Sequence, residues 1–227
     1  MNILMNVGKI FVKYWDMLLE GVGITLVLSA IAVAFGIVIG IILALMRLSK
    51  LSIGKFRPLN AIATAYTEII RDTPLLLQLY FFYFLVPMMF PGVDFGKAFS
   101  VALAMSLNSG AYVAEIIRAG ISAVDKGQSE AARSLGLNYT QTLRKVILPQ
   151  AIKNILPALC NEFVTVVKES SLASTFFVGD IMTQYKTINA ITYLAIEPLI
   201  VSGIIYFVLG FGLSKAVAAF ERKLKND

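Results

Sequence analysis

Acidic and amide side chains interrupt the long apolar runs of this sequence, and they are the groups best suited to bind a small ligand. They are Glu68, Asp72, Asn108, Glu115, Asn161 and Glu162. An ionisable side chain is costly inside a membrane, so we interpret such residues as functional by default. Glu68 and Asp72 are four residues apart and share a helix face. At ~1.5 Å of rise per residue, Glu68, Asp72 and Glu162 fall ~14–20 Å from the beginnings of their runs, near the middle of a bilayer.

The charge balance among these residues predicts the type of ligand. Three or more carboxylates are set against a single deep cation, Arg71, so we expect a cavity with net negative charge. Such a cavity suits an amino acid with a surplus positive charge, such as arginine, lysine or histidine. Two structural interpretations remain open. Arg71 can form a bridge with Glu68 or Asp72. Glu115 and Arg118, three residues apart, can form an interfacial pair that holds the polar segment after them.

The composition is that of a polytopic membrane protein. Of the 227 residues, 58% are hydrophobic and 15% are charged, with a mean hydropathy of +0.78, whereas soluble domains are about half apolar and about a quarter charged. The absence of histidine excludes His-based acid–base catalysis and His-ligated metals. Cys160 is the only cysteine, so no intrachain disulfide can form. We interpret the net charge of +6 as loop charge that orients the chain, not as a nucleic-acid surface.

The apolar runs predict an all-α protein with about five transmembrane helices in a single transmembrane domain. An amphipathic stretch, residues 1–20, predicts an interfacial helix anchored by Trp15. The predicted spans are residues 24–46, 59–89, 98–117, 149–167 and 194–220. Gly36 and Gly40 in the first span have the small-xxx-small spacing that permits close helix contact. Pro74 is expected to kink or break the second span.

Lysine and arginine residues are concentrated in alternate loops, which predicts the orientation of the chain. The loop after the first span holds Arg47, Lys50, Lys55 and Arg57, and further basic residues follow the third and fifth spans. The positive-inside rule then places the N-terminus outside and the C-terminus in the cytoplasm. The polar segment 118–147, between the third and fourth spans, is therefore expected to face the cytoplasm.

This polar segment has the local signals of a short helix, a turn and a second helix. Residues 128–135 are compatible with a helix, and Gly136 can take the left-handed conformation that ends one. Asn138 can cap a following helix, predicted over residues 139–147, before Pro149 opens the fourth span. An ordinary solvated loop is the alternative interpretation.

The same segment carries Glu130-Ala131-Ala132, then Gly136, then Val146-Ile147-Leu148-Pro149. This pattern resembles the EAA loop of ABC importer permeases, with Val146 in place of isoleucine. Further stretches resemble the polar amino-acid permease family: GVGITLVLS at 21–29, RDTPLLLQLYFFYF at 71–84, AYVAEIIRAGISAVDKGQSEAARSLGL at 111–137, LPQAIKNILPALCNEF at 148–163 and VKESSLAS at 167–174. The resemblance covers nearly the whole chain, with Asp72 at a position where the family is expected to have glycine more often.

The resemblance implies the permease subunit of a binding-protein-dependent importer of polar amino acids, of the histidine, arginine or glutamine type, in a bacterial inner membrane. It implies a dimer of permease chains, a separate ATPase that binds ATP and magnesium, and an extracytoplasmic binding protein that delivers the substrate. It also implies that a coupling helix docks on the ATPase through Glu130, Ala131, Ala132, Gly136, Leu148 and Pro149. The chain itself is then not an enzyme and needs no cofactor. In agreement with this, it has no GxxxxGK[ST] motif to cradle nucleotide phosphates.

Functions of other classes fit the sequence less well. A gradient-driven amino-acid carrier or channel would explain buried charge without an ATPase. It would leave the EAA pattern without a purpose, and the sequence has no evident inverted repeat. An intramembrane serine protease built on Asn108-Ser109-Gly110 would lack the usual histidine base. The sequence leaves open which amino acid is carried, and whether the permease pairs with itself or with a related chain.

Overall fold

The computed structural model of the protein describes residues 3–49, 51–52 and 56–226. Within these residues every helix or strand element is a helix, as the predicted all-α class requires. The α-helices are α1 (Ile3–Lys13), α2 (Trp15–Leu48), α3 (Pro58–Asp72), α4 (Leu75–Met89), α5 (Gly96–Ser122), α6 (Lys126–Ser134), α7 (Tyr139–Thr142), α8 (Leu148–Glu169), α9 (Ile181–Thr192) and α10 (Ile196–Asn226). The parts of our predictions that fall on Met1, Asn2, Lys50 and Lys55 lie outside the described residues.

The interfacial helix predicted over residues 1–20 is divided in the structure. α1 ends at Lys13, Tyr14 forms a bend, and α2 begins at Trp15. Backbone hydrogen bonds from Tyr14 N to Ile10 O and from Leu18 N to Tyr14 O, both 3.0 Å, continue the ladder across the bend. The helix that holds the first predicted span therefore begins at Trp15, because no proline or other helix breaker separates the amphipathic turn from the apolar run.

Length and hydropathy qualify three described helices, α2, α5 and α10, to cross a membrane. The pair α3–α4 meets the same criteria when it is counted as one broken span. α8 contains polar residues such as Lys153 and Glu162 and does not reach the same hydropathy, so its crossing stays a prediction. The orientation of the two termini likewise stays a prediction.

The helix break between α3 and α4 at Thr73 and Pro74 confirms the predicted effect of the proline. Thr73 has extended backbone angles, φ −111° and ψ 143°, as is usual for a residue before proline. Pro74 has φ −62° and ψ 135° and forms the N-cap of α4. The Thr73 hydroxyl donates a 2.7 Å hydrogen bond to the carbonyl of Ile69, an acceptor left over at the end of α3.

The contacts divide the described residues into two compact units. Unit 1 takes those in Met1–Ala34, Pro74–Ser106 and Phe163–Lys215. Unit 2 takes those in Phe35–Thr73, Leu107–Glu162 and Ala216–Asp227. The core of unit 1 contains Ile10, Tyr14, Leu18, Ile188 and Val201. The core of unit 2 contains Leu43, Ala63 and Ala114, with Ile39, Met46 and Tyr66 packed against them. All the residues that the sequence marked for substrate binding or coupling belong to unit 2.

Gly36 and Gly40 place α2 directly against α5 within unit 2, as their spacing predicted. A Cβ atom added at Gly36 would lie 2.7 Å from the Oγ of Ser109. One added at Gly40 would lie 2.4 Å from Cγ1 of Val113 and 2.9 Å from the backbone nitrogen of Ala114. All three distances are shorter than van der Waals contact, so the backbones of α2 and α5 can approach this closely only where α2 has no side chain.

The polar segment forms the predicted helix, turn and helix. α6 ends in a Schellman motif, in which Gly136 N donates to Arg133 O at 2.9 Å and Leu137 N donates to Ala132 O at 3.1 Å. Gly136 has the left-handed φ of +83° that this motif requires. Asn138 then caps α7 in a capping box with Gln141, with two reciprocal hydrogen bonds of 3.0 Å. The prediction of an ordered segment is confirmed, and the solvated-loop alternative is wrong.

The join to α8 differs from the prediction that Pro149 opens a new span. α7 passes into a π-helical turn, Leu143–Ile147, and this turn continues directly into α8 at Leu148. Leu148 N donates to Leu143 O, five residues back. Proline has no N–H, and its ring clashes with the carbonyl four residues earlier, so the wider π-turn relieves a clash that a regular helix would have with Pro149.

One helix of unit 1, α9, lies between the predicted spans 149–167 and 194–220, where no helix was predicted. A 3-10 helix, Ser170–Phe176, follows α8. Asp180 then caps α9, because its carboxylate accepts a 3.0 Å hydrogen bond from Met182 N. Asp180 is fully buried, and this burial raises the pKa of its carboxyl above the ordinary value. An Asp followed by a mostly apolar helical stretch was the signal that could have predicted α9.

Candidate functional site

A cavity of about 500 Å³ in unit 2 brings together charged residues from α2, α3 and α5. Its charged and amide lining residues are Arg47, Asn60, Glu68, Arg71, Glu115 and Arg118. Asn60 fixes the end of α2 here, because its side-chain amide donates a 3.1 Å hydrogen bond to the carbonyl of Arg47. A cavity of this size with a few convergent polar groups is typical of a small-molecule site.

Glu115 lies at the centre of an ion-pair cluster in this cavity. Its Oε2 accepts a 3.1 Å hydrogen bond from Nη1 of Arg47 on α2. Arg118, one turn further along α5, donates from Nε to both carboxylate oxygens at 2.9 and 3.0 Å and forms a second contact through Nη2. Nη1 of Arg71 on α3 lies 3.9 Å from the same Oε2. The predicted pair of Glu115 and Arg118 is therefore confirmed as part of a larger cluster.

Two sequence-based expectations about this cluster are wrong. Arg71 contacts Glu115, and not Glu68 or Asp72 as its position in the chain suggested. It is also not the single cation of the cavity, because Arg47 and Arg118 line the same space. The cavity that holds Glu68 and Glu115 thus contains three positive and two negative side chains and is not net negative. Arg47 was assigned to loop charge because it stands at the end of an apolar run.

Glu162 and Ser109 form a second polar contact in unit 2, apart from the residues that line the cavity. The Ser109 hydroxyl donates a 3.0 Å hydrogen bond to Oε1 of Glu162, between α5 and α8. Glu162 is 9% exposed, Ser109 is fully buried, and Asn108 beside it is also buried. A carboxylate at this depth can form a charge-assisted hydrogen bond with a cationic group. Sequence reasoning did not include Ser109 among the ligand-binding candidates, although its position next to Asn108 could have indicated it.

The remaining binding candidates are placed differently. Asn161 is exposed on α8, although it neighbours Glu162 in sequence. Asp72 is the exposed last residue of α3 and is not among the residues that line the cavity. The six candidates are therefore not one site. Glu68 and Glu115 line the arginine-rich cavity, whereas Glu162 and Ser109 form a separate pair.

The coupling candidates lie on an exposed surface formed by α6 and the turn after it. Asp125 caps α6, and its side chain accepts a 2.6 Å hydrogen bond from Gly127 N. Glu130 and Ala131 are exposed, while Ala132 is buried. Leu135 is 84% exposed, an unusual fraction for a leucine next to a helix end. Leu148 and Pro149 form the first residues of α8, beyond the π-turn.

No group of three or more metal-ligating side chains is found among the residues that the structure describes.

Comparisons with known proteins agree on a family. The model of a family described as "Binding-protein-dependent transport system inner membrane component" matches residues 36–226. The chain is 44% identical to the "Arginine transport system permease protein ArtQ" of Bacillus subtilis (strain 168), over 92% of this chain and 93% of that protein. It is 44% identical to the "Putative glutamine transport system permease protein GlnP" of Rickettsia bellii (strain RML369-C), over 91% and 92% of the two chains.

A solved structure shows the same similarity in three dimensions. It is described as "Crystal structure of an amino acid ABC transporter with histidines" and superposes with a TM-score of 0.87. The sequence identity is 45%, and the superposition covers 94% of this chain and 96% of that one.

Proposed function

Because this chain belongs to the family of binding-protein-dependent transport system inner membrane components, and is the permease subunit of an amino-acid ABC importer, we propose that it carries cationic amino acids. The proposed cargo is arginine, lysine or histidine. Transport runs by alternating access, driven by a separate ATPase. The chain is a multi-pass membrane protein, and the proposed location is a bacterial inner membrane.

The observation that carries the cationic assignment is the buried carboxylate of Glu162. It is held by the neutral hydroxyl of Ser109, 53 residues away in the chain. A guanidinium or ammonium group of the cargo would form a charge-assisted hydrogen bond with this carboxylate. A relative of 44% identity is named as an arginine permease, which supports the same cargo. Another relative of 44% identity is named for glutamine, so the family alone does not decide the side chain.

The coupling proposal rests on the exposed surface of α6. Glu130 and Ala131 are exposed on it, and the small side chain of Ala131 would let a partner groove approach the helix closely, while Ala132 is buried beneath this surface. α6 follows α5, and it is joined to α8 through the turn at Gly136, α7 and the π-turn, so a force on α6 would reach both helices. Glu130, Ala131, Ala132, Gly136, Leu148 and Pro149 remain the proposed coupling residues.

The proposed partners follow from the family. They are a dimer of ATPase subunits that binds ATP and magnesium, a second permease chain, an extracytoplasmic binding protein and the lipid bilayer. We propose a homodimer of permease chains. Blue-native electrophoresis of the complex, with two differently tagged copies of this chain co-expressed, tests that proposal. Recovery of one tag without the other would instead indicate a heterodimer with a related chain.

Uptake into proteoliposomes tests the cargo directly. The complex of permease, ATPase and binding protein should take up arginine when ATP is supplied, and it should discriminate against glutamate. Equal uptake of the two amino acids would contradict the cationic assignment.

Glu162→Gln is the matching variant for the same assay. It should lower arginine uptake by about tenfold to hundredfold, because a charge-assisted hydrogen bond is worth about 1.5–3 kcal/mol. Ser109→Ala is the control, since it removes the hydroxyl but keeps the carboxylate, and it should cost less than tenfold. Unchanged arginine uptake by Glu162→Gln would remove Glu162 from the site.

A further inference from the structure

The arginine-rich cavity of unit 2 contains more hydrogen-bond donors than its own carboxylates can use. Arg47, Arg71 and Arg118 come from three helices and converge on Glu115. Each guanidinium carries five N–H donors. A single carboxylate accepts at about four lone-pair positions, and Arg118 already makes several contacts with it.

Two observations show where the unused donors are. The Nε of Arg47 is buried and has no hydrogen-bond partner among the described residues. Nη1 of Arg71 lies 3.9 Å from Glu115, beyond hydrogen-bond distance. The Arg71 guanidinium instead lies over the ring of Tyr112, with its central carbon 5.6 Å from the ring centre. The Arg71 side chain is 39% exposed and that of Arg118 is 54% exposed, but Arg118 already donates to both oxygens of Glu115. Arg71 is therefore the guanidinium of this cluster that a ligand can reach without breaking a hydrogen bond to Glu115.

We propose that this cavity is a subsite for the α-carboxylate of the transported amino acid, with Arg71 as the residue that binds it. The cargo carboxylate would be the third carboxylate of the cavity, beside Glu68 and Glu115. It would balance the third positive charge and accept the donors that Glu115 leaves over. Glu68 lines the same cavity and would face the α-ammonium group. The volume of about 500 Å³ is within the range of small-molecule sites.

The subsite is separate from the pair of Glu162 and Ser109. It would bind the α-carboxylate of the cargo, whereas Glu162 would bind the cationic side chain. Every α-amino acid has the carboxylate, so this subsite does not select the side chain. It explains how a permease with a carboxylate for a cationic side chain would still reject a simple amine. The inference rests on the proposed function in one respect only, namely that the cargo is an α-amino acid.

The place of the cavity in the fold gives it a link to the coupling surface. Arg47 is in the last turn of α2, and Asn60 is in the first turn of α3. Arg118 lies four residues before the end of α5, and α6 begins soon after. In the absence of cargo, Glu115 forms the ion pairs with these arginines. A cargo carboxylate on Arg71 would thus lie one ion pair away from Arg118, near the helix end that leads into α6.

Ligand pairs that differ only at the carboxylate test the subsite. The purified complex of permease and ATPase in nanodiscs, without binding protein, is titrated by calorimetry with L-arginine and with L-argininamide. We expect the wild type to bind L-arginine about tenfold to hundredfold more tightly than the amide. Arg71→Gln should lose most of that preference, and Arg71→Lys should retain part of it because it keeps the charge without the planar fork. Arg222→Gln, on the exposed end of α10, is the matched control and should behave as the wild type.

The outcomes separate this inference from the cargo proposal. Equal affinity of the wild type for arginine and argininamide would overturn the subsite, as would an undiminished preference in Arg71→Gln. If arginine does not bind but L-glutamine does, the cationic assignment fails. The subsite is then decided by L-glutamine against L-glutaminamide, with the same expected ratio. If the wild type binds none of these amino acids, both proposals are wrong.

Discussion

Two glycines on α2 illustrate how much a single side chain decides in this protein. Gly40 lies so close to α5 that an added Cβ would meet a side chain and the backbone nitrogen of Ala114, whereas Gly23 on the same helix has nothing within 4 Å. The same residue type therefore has a packing role at one position and none at the other. The spacing of Gly36 and Gly40 indicates a close helix contact, but only the structure identifies α5 as the helix that they contact.

Gly40→Ala should destabilise the protein by about 1–3 kcal/mol, since the added methyl overpacks a contact in which backbone cannot move away easily. Gly23→Ala is the matched control and should be neutral or slightly stabilising, because alanine is the better helix former by about 1 kcal/mol. The thermal unfolding midpoint of the detergent-solubilised protein measures both. Equal midpoints for the two variants would contradict the packing contact described for Gly40.

At the scale of elements, the coupling segment is defined by local chemistry at its two ends. The Schellman motif at Gly136 ends α6, and the capping box at Asn138 begins α7. The π-turn then allows the helix to pass Pro149 without a break. The segment is thus one connected path from α6 into α8, with its only left-handed residue at Gly136.

Gly136→Val should impair coupling of ATP hydrolysis to uptake, because a β-branched residue at positive φ is strained and would unwind the end of α6. Gly136→Asn is the matched control, since asparagine tolerates the left-handed region. A Cβ at this position meets nothing within 4 Å, so the variants differ in backbone strain and not in packing. The ratio of amino acid taken up to ATP hydrolysed by the complex is the measurement. A ratio for Gly136→Val equal to that of the wild type would refute the role of this turn.

At the scale of the whole molecule, the chain is one component of a larger machine. It belongs to a family of transport components, and its sequence has no phosphate-binding loop. On the proposed coupling surface, Leu135 and Glu130 are exposed. The proposal that energy enters through that surface and the alternative of an ion gradient predict different behaviour.

Liposomes that contain this chain and its binding protein, but no ATPase, should take up no arginine even when a proton or sodium gradient is imposed. Addition of the ATPase and of ATP on its side of the membrane should restore uptake, and ionophores should not abolish it. Gradient-dependent uptake by the permease alone would favour the alternative of a secondary carrier or channel. In the preparation that contains the ATPase and ATP, Glu130→Lys should abolish arginine uptake, because it reverses the charge at the proposed contact of α6 with the ATPase.

Much of the fold could be predicted because its signals are local. The apolar runs predict the helical class, and Pro74, Gly136 and Asn138 each act within a few residues of their own position. The beginning of α2, the π-turn and α9 were missed or misplaced. Their causes are nevertheless local: no helix breaker precedes Trp15, the ring of Pro149 favours the wider turn, and the carboxylate of Asp180 caps α9. The part that short-range signals could not supply is the set of contacts between residues far apart in the chain.

The sequence by itself determined the helical class and the family of amino-acid permeases, because these depend on residue type and short spacing. It left the order of the polar segment open. Only the tertiary structure decided how the charges combine. Arg47 and Glu115 are 68 residues apart, and Ser109 and Glu162 are 53 apart. Contacts over such separations depend on how helices pack, and that packing brings three arginines to Glu115 and the hydroxyl of Ser109 to Glu162.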